Sequence, residues 1–192
     1  MSSYFTKADD ELKWTEQSCK TLLKTVVFDV TERHNTSLKG ITGDYVIMNA
    51  RDWVIVLPFK DNKFKMVKQW RHGEKKLSVE FPGGVIDEGE EPADAARREL
   101  LEETGCTAGK LIKLGSVNPN PALFSNHVHI FFASDLTETG IQKLDHDEFI
   151  NCMELTEAEI LNGMGTEEFP HALMGTALAF YFKYKATLKT SD

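Results

Sequence analysis

The chain has 192 residues, of which 41% are hydrophobic and 27% charged, a globular composition that excludes disordered, collagen-like and low-complexity classes. Its length suits one domain with a short extra arm. Thirty acidic against 22 basic residues leave a formal net charge of -8, which argues against a nucleic-acid partner and requires cations wherever a phosphate compound is to bind.

Cys19, Cys106 and Cys152 are widely spaced, odd in number and never in CxxC spacing. That pattern fits a reducing cytoplasm, the expected location, better than a disulfide scaffold or a zinc knuckle. The opening MSSYFTKADDELKW carries acids where a secretory leader carries an apolar run, and no apolar stretch reaches membrane-spanning length.

In chain order, residues 22–32 carry a β-branched, partly alternating pattern and predict a strand. Residues 44–50 and 53–60 predict two more, with Arg51-Asp52 as the turn between them. Asp61-Asn62 predicts a second turn, and FKMVKQW the strand after it. The β run ends at the glycine-rich loop FPGGVIDEGEE. Pro92 suits a first helical position, so a helix is expected over 92–104, with Gly105 as its C-cap. KLIKLGSV and HVHIFFASDL predict strands joined by the loop NPNPALFSN. FINCMEL predicts another, Thr156 and Glu159 have capping-box spacing, and a last helix is expected from about His171 to Lys185. Strands on both sides of a central helix imply an α/β layered fold.

The chemistry concentrates between Gly84 and Cys106. Glu99, Glu102 and Glu103 are three and four residues apart, so their carboxylates share one side of a helix. Like charges at that spacing repel and call for a cation, and hard oxygen ligands suit Mg²⁺ or Mn²⁺. Arg98 can orient or partly neutralise Glu102, and Gly83-Gly84 let a backbone carbonyl come close. The bland reading of the three glutamates alone is a solvated acidic helix face.

The whole spacing, Gly84, five residues, Glu90, seven residues, then Arg98-Glu99-Leu100-Leu101-Glu102-Glu103-Thr104-Gly105-Cys106, resembles the Nudix box. Cys106 departs from it, standing where the box has a bulky aliphatic residue, a change of packing rather than of chemistry. The resemblance implies a Nudix α/β/α sandwich with a mixed sheet and an N-terminal β arm. It implies an enzyme that hydrolyses a nucleoside diphosphate linked to another group. It makes Glu99 and Glu103 the main metal ligands, with Glu102 assisting and the Gly83 carbonyl contributing. Gly84, Glu90, Arg98 and Gly105 become structural members of the motif.

Beyond the box, VKQWRHG and VEFPGG look like segments of ADP-ribose pyrophosphatases, and Pro121, fifteen residues after Cys106, matches a marker of that subgroup. The expected reaction is therefore cleavage of ADP-ribose to AMP and ribose 5-phosphate, with another nucleoside diphosphate sugar (ADP-glucose, GDP-mannose) as the alternative. A non-catalytic nucleotide-binding regulator would usually lack box glutamates, which are all present. Arg71 is the candidate phosphate contact, its alternative a surface arginine. Glu80 either positions the ribose or a neighbouring chain or faces solvent. Trp53 either stacks on the base or simply packs. The acidic loop LDHDEF supplies Asp145, Asp147 and Glu148, of which Glu148 is the chosen general base, although His146 stands where the subgroup commonly has an acid. Residues 1–43 look like the subgroup's dimer-forming arm, with 44–192 the hydrolase domain, so a homodimer is expected.

Overall fold

The computed structural model describes residues 4–189, which fall into two compact units. The first takes the chain up to Arg51 together with Asn118–Asn126. After a 3-10 turn at Lys7–Leu12 it consists of β1 (Trp14–Lys24), β2 (Phe28–Ser37) and β3 (Thr42–Ala50), an antiparallel meander. Every residue of β1 is exposed. The strand expected over 22–32 is broken in the structure. The Thr25 hydroxyl accepts from the Val27 and Phe28 N–H groups and donates to the Phe28 carbonyl, closing a turn that side-chain alternation alone does not reveal.

The second unit takes Asp52–Val117 and the chain from His127 onward. Its strands are β4 (Trp53–Lys60), β5 (Lys63–Arg71), β6 (Lys76–Glu80), β7 (Cys106–Val117), β8 (Val128–Glu138) and β9 (Asn151–Thr156). Its helices are α1 (Pro92–Thr104), α2 (Glu157–Gly163) and α3 (Ala172–Lys189). The six strands form one sheet in the order β6-β5-β4-β8-β7, with β9 also paired to β5. The sheet is mixed: β4 and β8 run parallel, the other pairs antiparallel.

Alternation along β4 divides the core between the two sheet faces. Val54 and Val56 pack with Ala95, Ala96 and Leu100 of α1, and with Cys106, Phe131 and Ala133. Ile55 and Leu57 pack on the opposite face with Phe64, Ile130 and Phe132 against Ile160 of α2 and Met174, Ala177, Leu178 and Tyr181 of α3. Helices thus cover both faces, the α/β/α arrangement, and apolar β4 is the strand buried between them. Cys106 is fully buried and fills its box position as a small apolar group. The β4–β5 turn has Asp61 and Asn62 both in the left-handed region, the hairpin geometry their side chains tolerate.

Candidate active site

Helix α1 begins with Pro92 in its first turn and ends at Gly105, whose φ of 66° sets a left-handed cap and whose N–H donates to the Leu101 carbonyl at 2.9 Å. Its remaining C-terminal carbonyls are held by the chain that follows β8. Lys143 N–H donates to the Glu102 carbonyl at 2.9 Å, Gln142 Nε2 to that of Glu103 at 2.5 Å, and Thr139 N–H to that of Gly105 at 2.7 Å.

The loop before α1 crosses the end of β4 where no side chain fits. A Cβ on Gly83 would lie 2.1 Å from the Val54 carbonyl oxygen. A Cβ on Gly84 would meet the Glu99 carboxylate at 2.4 Å. The loop is tied to β4 by Val54 N–H to the Gly84 carbonyl and Val56 N–H to the Pro82 carbonyl, both 2.9 Å. The Gly84 carbonyl is thereby engaged, and Gly83 N–H donates to Glu103 Oε2 at 2.8 Å.

Arg98 fastens loop to helix. Its Nε and Nη2 fork onto Glu90 at 3.0 and 2.9 Å, and Nη2 also donates to the Val85 carbonyl. Its Nη1 reaches Glu99 at 2.7 Å and Glu102 at 3.0 Å. The Arg98 fork holds Glu90 below the usual carboxylate range against a small opposing effect of burial.

A cavity of about 340 Å³ gathers Trp53, Arg71, Gly83, Gly84, Glu99, Glu103 and Glu148. Most of the residues singled out in the sequence are therefore neighbours in space. Glu102 does not line this cavity; it lies on the flank of α1 beside Arg98. Glu148 is exposed at the cavity's edge, and its carboxylate accepts from the Asp145 N–H at 3.1 Å. His146 is almost wholly exposed and pairs with Asp147 at 3.5 Å. Three lining residues had not been singled out: Gln69, Asp87 and Val85. Gln69 and Arg71 alternate along β5 and so share a face, which the period of the strand could have signalled.

Glu80 departs from the solvent-facing alternative. It is 1% exposed and accepts Arg71 Nε and Nη2 at 2.8 and 2.5 Å. Burial pushes its carboxyl up, the Arg71 fork pulls it down, and the balance lies below the ordinary value. Arg71, 39% exposed at its side chain, thus spends one edge of its guanidinium on Glu80 at the wall of the cavity.

Glu99 and Glu103 behave in the opposite way. Burial pushes Glu99 up to about 7 despite Arg98, and the Glu102 and Glu148 charges add to the rise. Burial pushes Glu103 up to about 8 despite the Gly83 N–H, again reinforced by Glu99 and Glu148. Among the described residues no three acidic, histidine or cysteine side chains already stand in coordination geometry; Gly83 N–H and Arg98 Nη1 engage the Glu103 and Glu99 carboxylates. The donor chemistry nevertheless fits a hard divalent cation. Two buried carboxylates under mutual repulsion, beside a third on the same helix, are what such an ion relieves.

Residues 48–172 match the model of the NUDIX domain. The chain is 38% identical over 138 residues to the ADP-ribose pyrophosphatase of Bacillus subtilis, covering 71% of this chain and 74% of that protein. It is 37% identical over 102 residues to the methanol dehydrogenase activator of Bacillus methanolicus (53% of this chain, 55% of that one). It is 34% identical over 92 residues to the ADP compounds hydrolase NudE of Escherichia coli (48% and 50%). A crystal structure of an ADP compounds hydrolase superposes with a TM-score of 0.82 at 25% identity, covering 92% of this chain and 96% of that one. With the box residues gathered on one loop and helix, and relatives of this closeness, the chain belongs to the Nudix family and is a Nudix pyrophosphohydrolase.

Proposed function

We propose that the enzyme hydrolyses the pyrophosphate of ADP-ribose to AMP and ribose 5-phosphate, using Mg²⁺ or Mn²⁺. The observation that carries this reading is the pair of buried carboxylates, Glu99 and Glu103, in a cavity walled by Arg71 and Glu148. The similarity to ADP-ribose pyrophosphatases supports the substrate.

Glu99 and Glu103 would hold the ion, with Glu102 and the Gly83 carbonyl completing the set of donors. A bound divalent cation offsets phosphate charge, polarises phosphorus and lowers the pKa of a bound water. Arg71, steadied by Glu80, contacts a phosphate oxygen with the guanidinium edge that Glu80 leaves. Glu148 accepts the proton of the attacking water, and Glu102 assists. Trp53 offers a face for the base. Gly84 keeps room for the Glu99 carboxylate, while Glu90, Arg98 and Gly105 hold the loop and the helix end.

Residues 1–43 act as the arm of a homodimer and 44–192 as the hydrolase domain. The exposure of every β1 residue, Leu22 and Leu23 among them, and of Val26 and Val27 after it supports that role. The cytoplasm is the proposed location.

Phosphate release from a panel of nucleoside diphosphate compounds, coupled to phosphatase, tests the reading. ADP-ribose is expected to be the best substrate in Mg²⁺, and Glu103→Gln to lose at least about a hundredfold in kcat. Equal turnover by that variant, or no hydrolysis by the wild type, would refute it. Glu148→Gln is expected to lower kcat far more than it raises KM.

A further inference from the structure

The chain after β8 touches the last turn of α1 twice. Lys143 N–H donates to the Glu102 carbonyl at 2.9 Å, and Cys152, just inside β9, donates from Sγ to the Glu103 carbonyl at 3.4 Å. Between these points residues 145–149 are all exposed, and Phe149, the large apolar residue among them, is 83% exposed. Burial therefore does not hold this tip in place. Its charge opposes its position: it brings Glu148 to a cavity that already holds Glu99 and Glu103.

The Gln142 side chain joins the two ends of the loop. Its Nε2 donates to the Glu103 carbonyl at 2.5 Å and reaches the Ile150 carbonyl at 3.5 Å and Cys152 Sγ at 3.6 Å. A primary amide suits this place. Its nitrogen carries two hydrogens, one for each carbonyl, whereas an oxygen there would face two acceptors. The loop's exit at Ile150 is thereby tied to the residue that bears one of the two buried acids. The tip beyond is a closed turn, since Glu148 N–H donates to the Asp145 carbonyl and the Glu148 carboxylate accepts the Asp145 N–H, both at 3.1 Å. A closed turn moves as one piece, so the neck sets where Glu148 stands.

We propose that Gln142 is a positioning residue for hydrolysis: its amide closes the neck of the 142–150 loop on the last turn of α1 and so holds Glu148 at the cavity beside Glu103. The proposal rests on the reading of Glu148 as the proton acceptor and adds the device that keeps it in reach against repulsion. Gln142 does not line the cavity, so its loss is felt in kcat rather than in KM. A proton acceptor displaced by about 1 Å is enough to slow the reaction severely.

The test uses Gln142→Met, which removes the donor, Gln142→Glu, which puts acceptors in its place, and Gln142→Lys, which returns a donor. kcat is expected to fall at least about tenfold in the first two and to recover in Gln142→Lys. KM for ADP-ribose and the Mg²⁺ concentration for half activity should stay within about twofold of wild type. In a Glu148→Gln background, Gln142→Met should cost nothing further. An unchanged kcat in Gln142→Met and Gln142→Glu overturns the proposal, as do losses that multiply in the double variant. So does a raised Mg²⁺ requirement with full kcat at saturation, which would make Gln142 a support of Glu103 alone. A loss that Gln142→Lys does not restore, with Tm lowered alike in all three variants, marks a merely structural residue and also overturns it. Should Gln142→Met fail to fold, Gln142→Glu against Gln142→Lys gives the same comparison. If the wild type hydrolyses no ADP-ribose, or Glu148→Gln turns over normally, the earlier reading fails by itself. Hydrogen exchange of the Lys143 amide then decides the neck: faster in Gln142→Glu than in Gln142→Lys supports the proposal, and equal rates overturn it.

Discussion

Glu80 and Glu103 are both buried acids, and they titrate in opposite directions. The difference is the partner: Glu80 has a guanidinium fork, whereas Glu103 has one backbone N–H and two acidic neighbours. Removing the fork strands a charge. Arg71→Ala should therefore destabilise the protein by about 3–5 kcal/mol, because the Glu80 carboxylate stays buried alone. Glu80→Gln should cost less, since Arg71 reaches solvent and can re-hydrate. Urea denaturation of the two variants checks the order; equal losses would mean that the pair contributes mainly through packing.

At the scale of elements, the two adjacent glycines before α1 should fail differently. A methyl at Gly84 strikes only the end of the Glu99 side chain, which can turn aside. Gly84→Ala should therefore fold normally but lose activity on the order of a hundredfold, since Glu99 is displaced from the cavity. A methyl at Gly83 strikes the backbone of Val54, which cannot yield. Gly83→Ala should cost about 3 kcal/mol or more of stability, read from its thermal or urea transition. The start of β4 carries another local device. Asp52 accepts the His127 N–H at 2.7 Å and pairs with His129 Nε2 at 3.0 Å, while His129 Nδ1 meets Ser116 Oγ at 2.8 Å. Burial acts to raise Asp52, but these hydrogen bonds outweigh it and hold the carboxyl below its ordinary 3.8. The ionised form thus favours folding, and its contribution is whole above about pH 4 and lost as pH falls further. Asp52→Asn should flatten the decline of Tm below pH 4 relative to wild type.

These elements also show what a sequence can disclose. The helix over Pro92–Thr104 was legible because both of its ends carry local chemistry, a proline and a left-handed glycine. The capping box at Thr156 and Glu159 was legible for the same reason, and it forms. β6 was not separately legible, since KLSVE is short and its alternation is inverted, with Ser78 and Glu80 buried and Leu77 exposed. The gathering of box residues follows from spacing along one loop and helix. The Arg71–Glu80 fork does not. It depends on the β5–β6 register, which no local pattern encodes.

At the scale of the whole molecule, the proposed ion links the site to global stability. Mg²⁺ at about a hundred times its Kd should raise Tm by about 5 °C, and Glu103→Gln should abolish the rise. Among the described residues no helix is long and apolar enough to cross a membrane. Sedimentation should give a mass twice the 21.7 kDa of one chain, and removal of residues 1–43 should return it to that of a monomer.

The clamp on the end of α1 has a consequence for divergence. Thr139, Gln142 and Lys143 hold the helix carbonyls, whereas Asp145 to Phe149 make up the exposed tip beyond them. Anchor and tip occupy separate stretches of one loop. Insertions and substitutions in the tip can therefore accumulate without shifting the helix that bears the acids. Descendants of this chain that keep Glu148 within the tip could drift toward new leaving groups while inheriting the same hydrolytic apparatus.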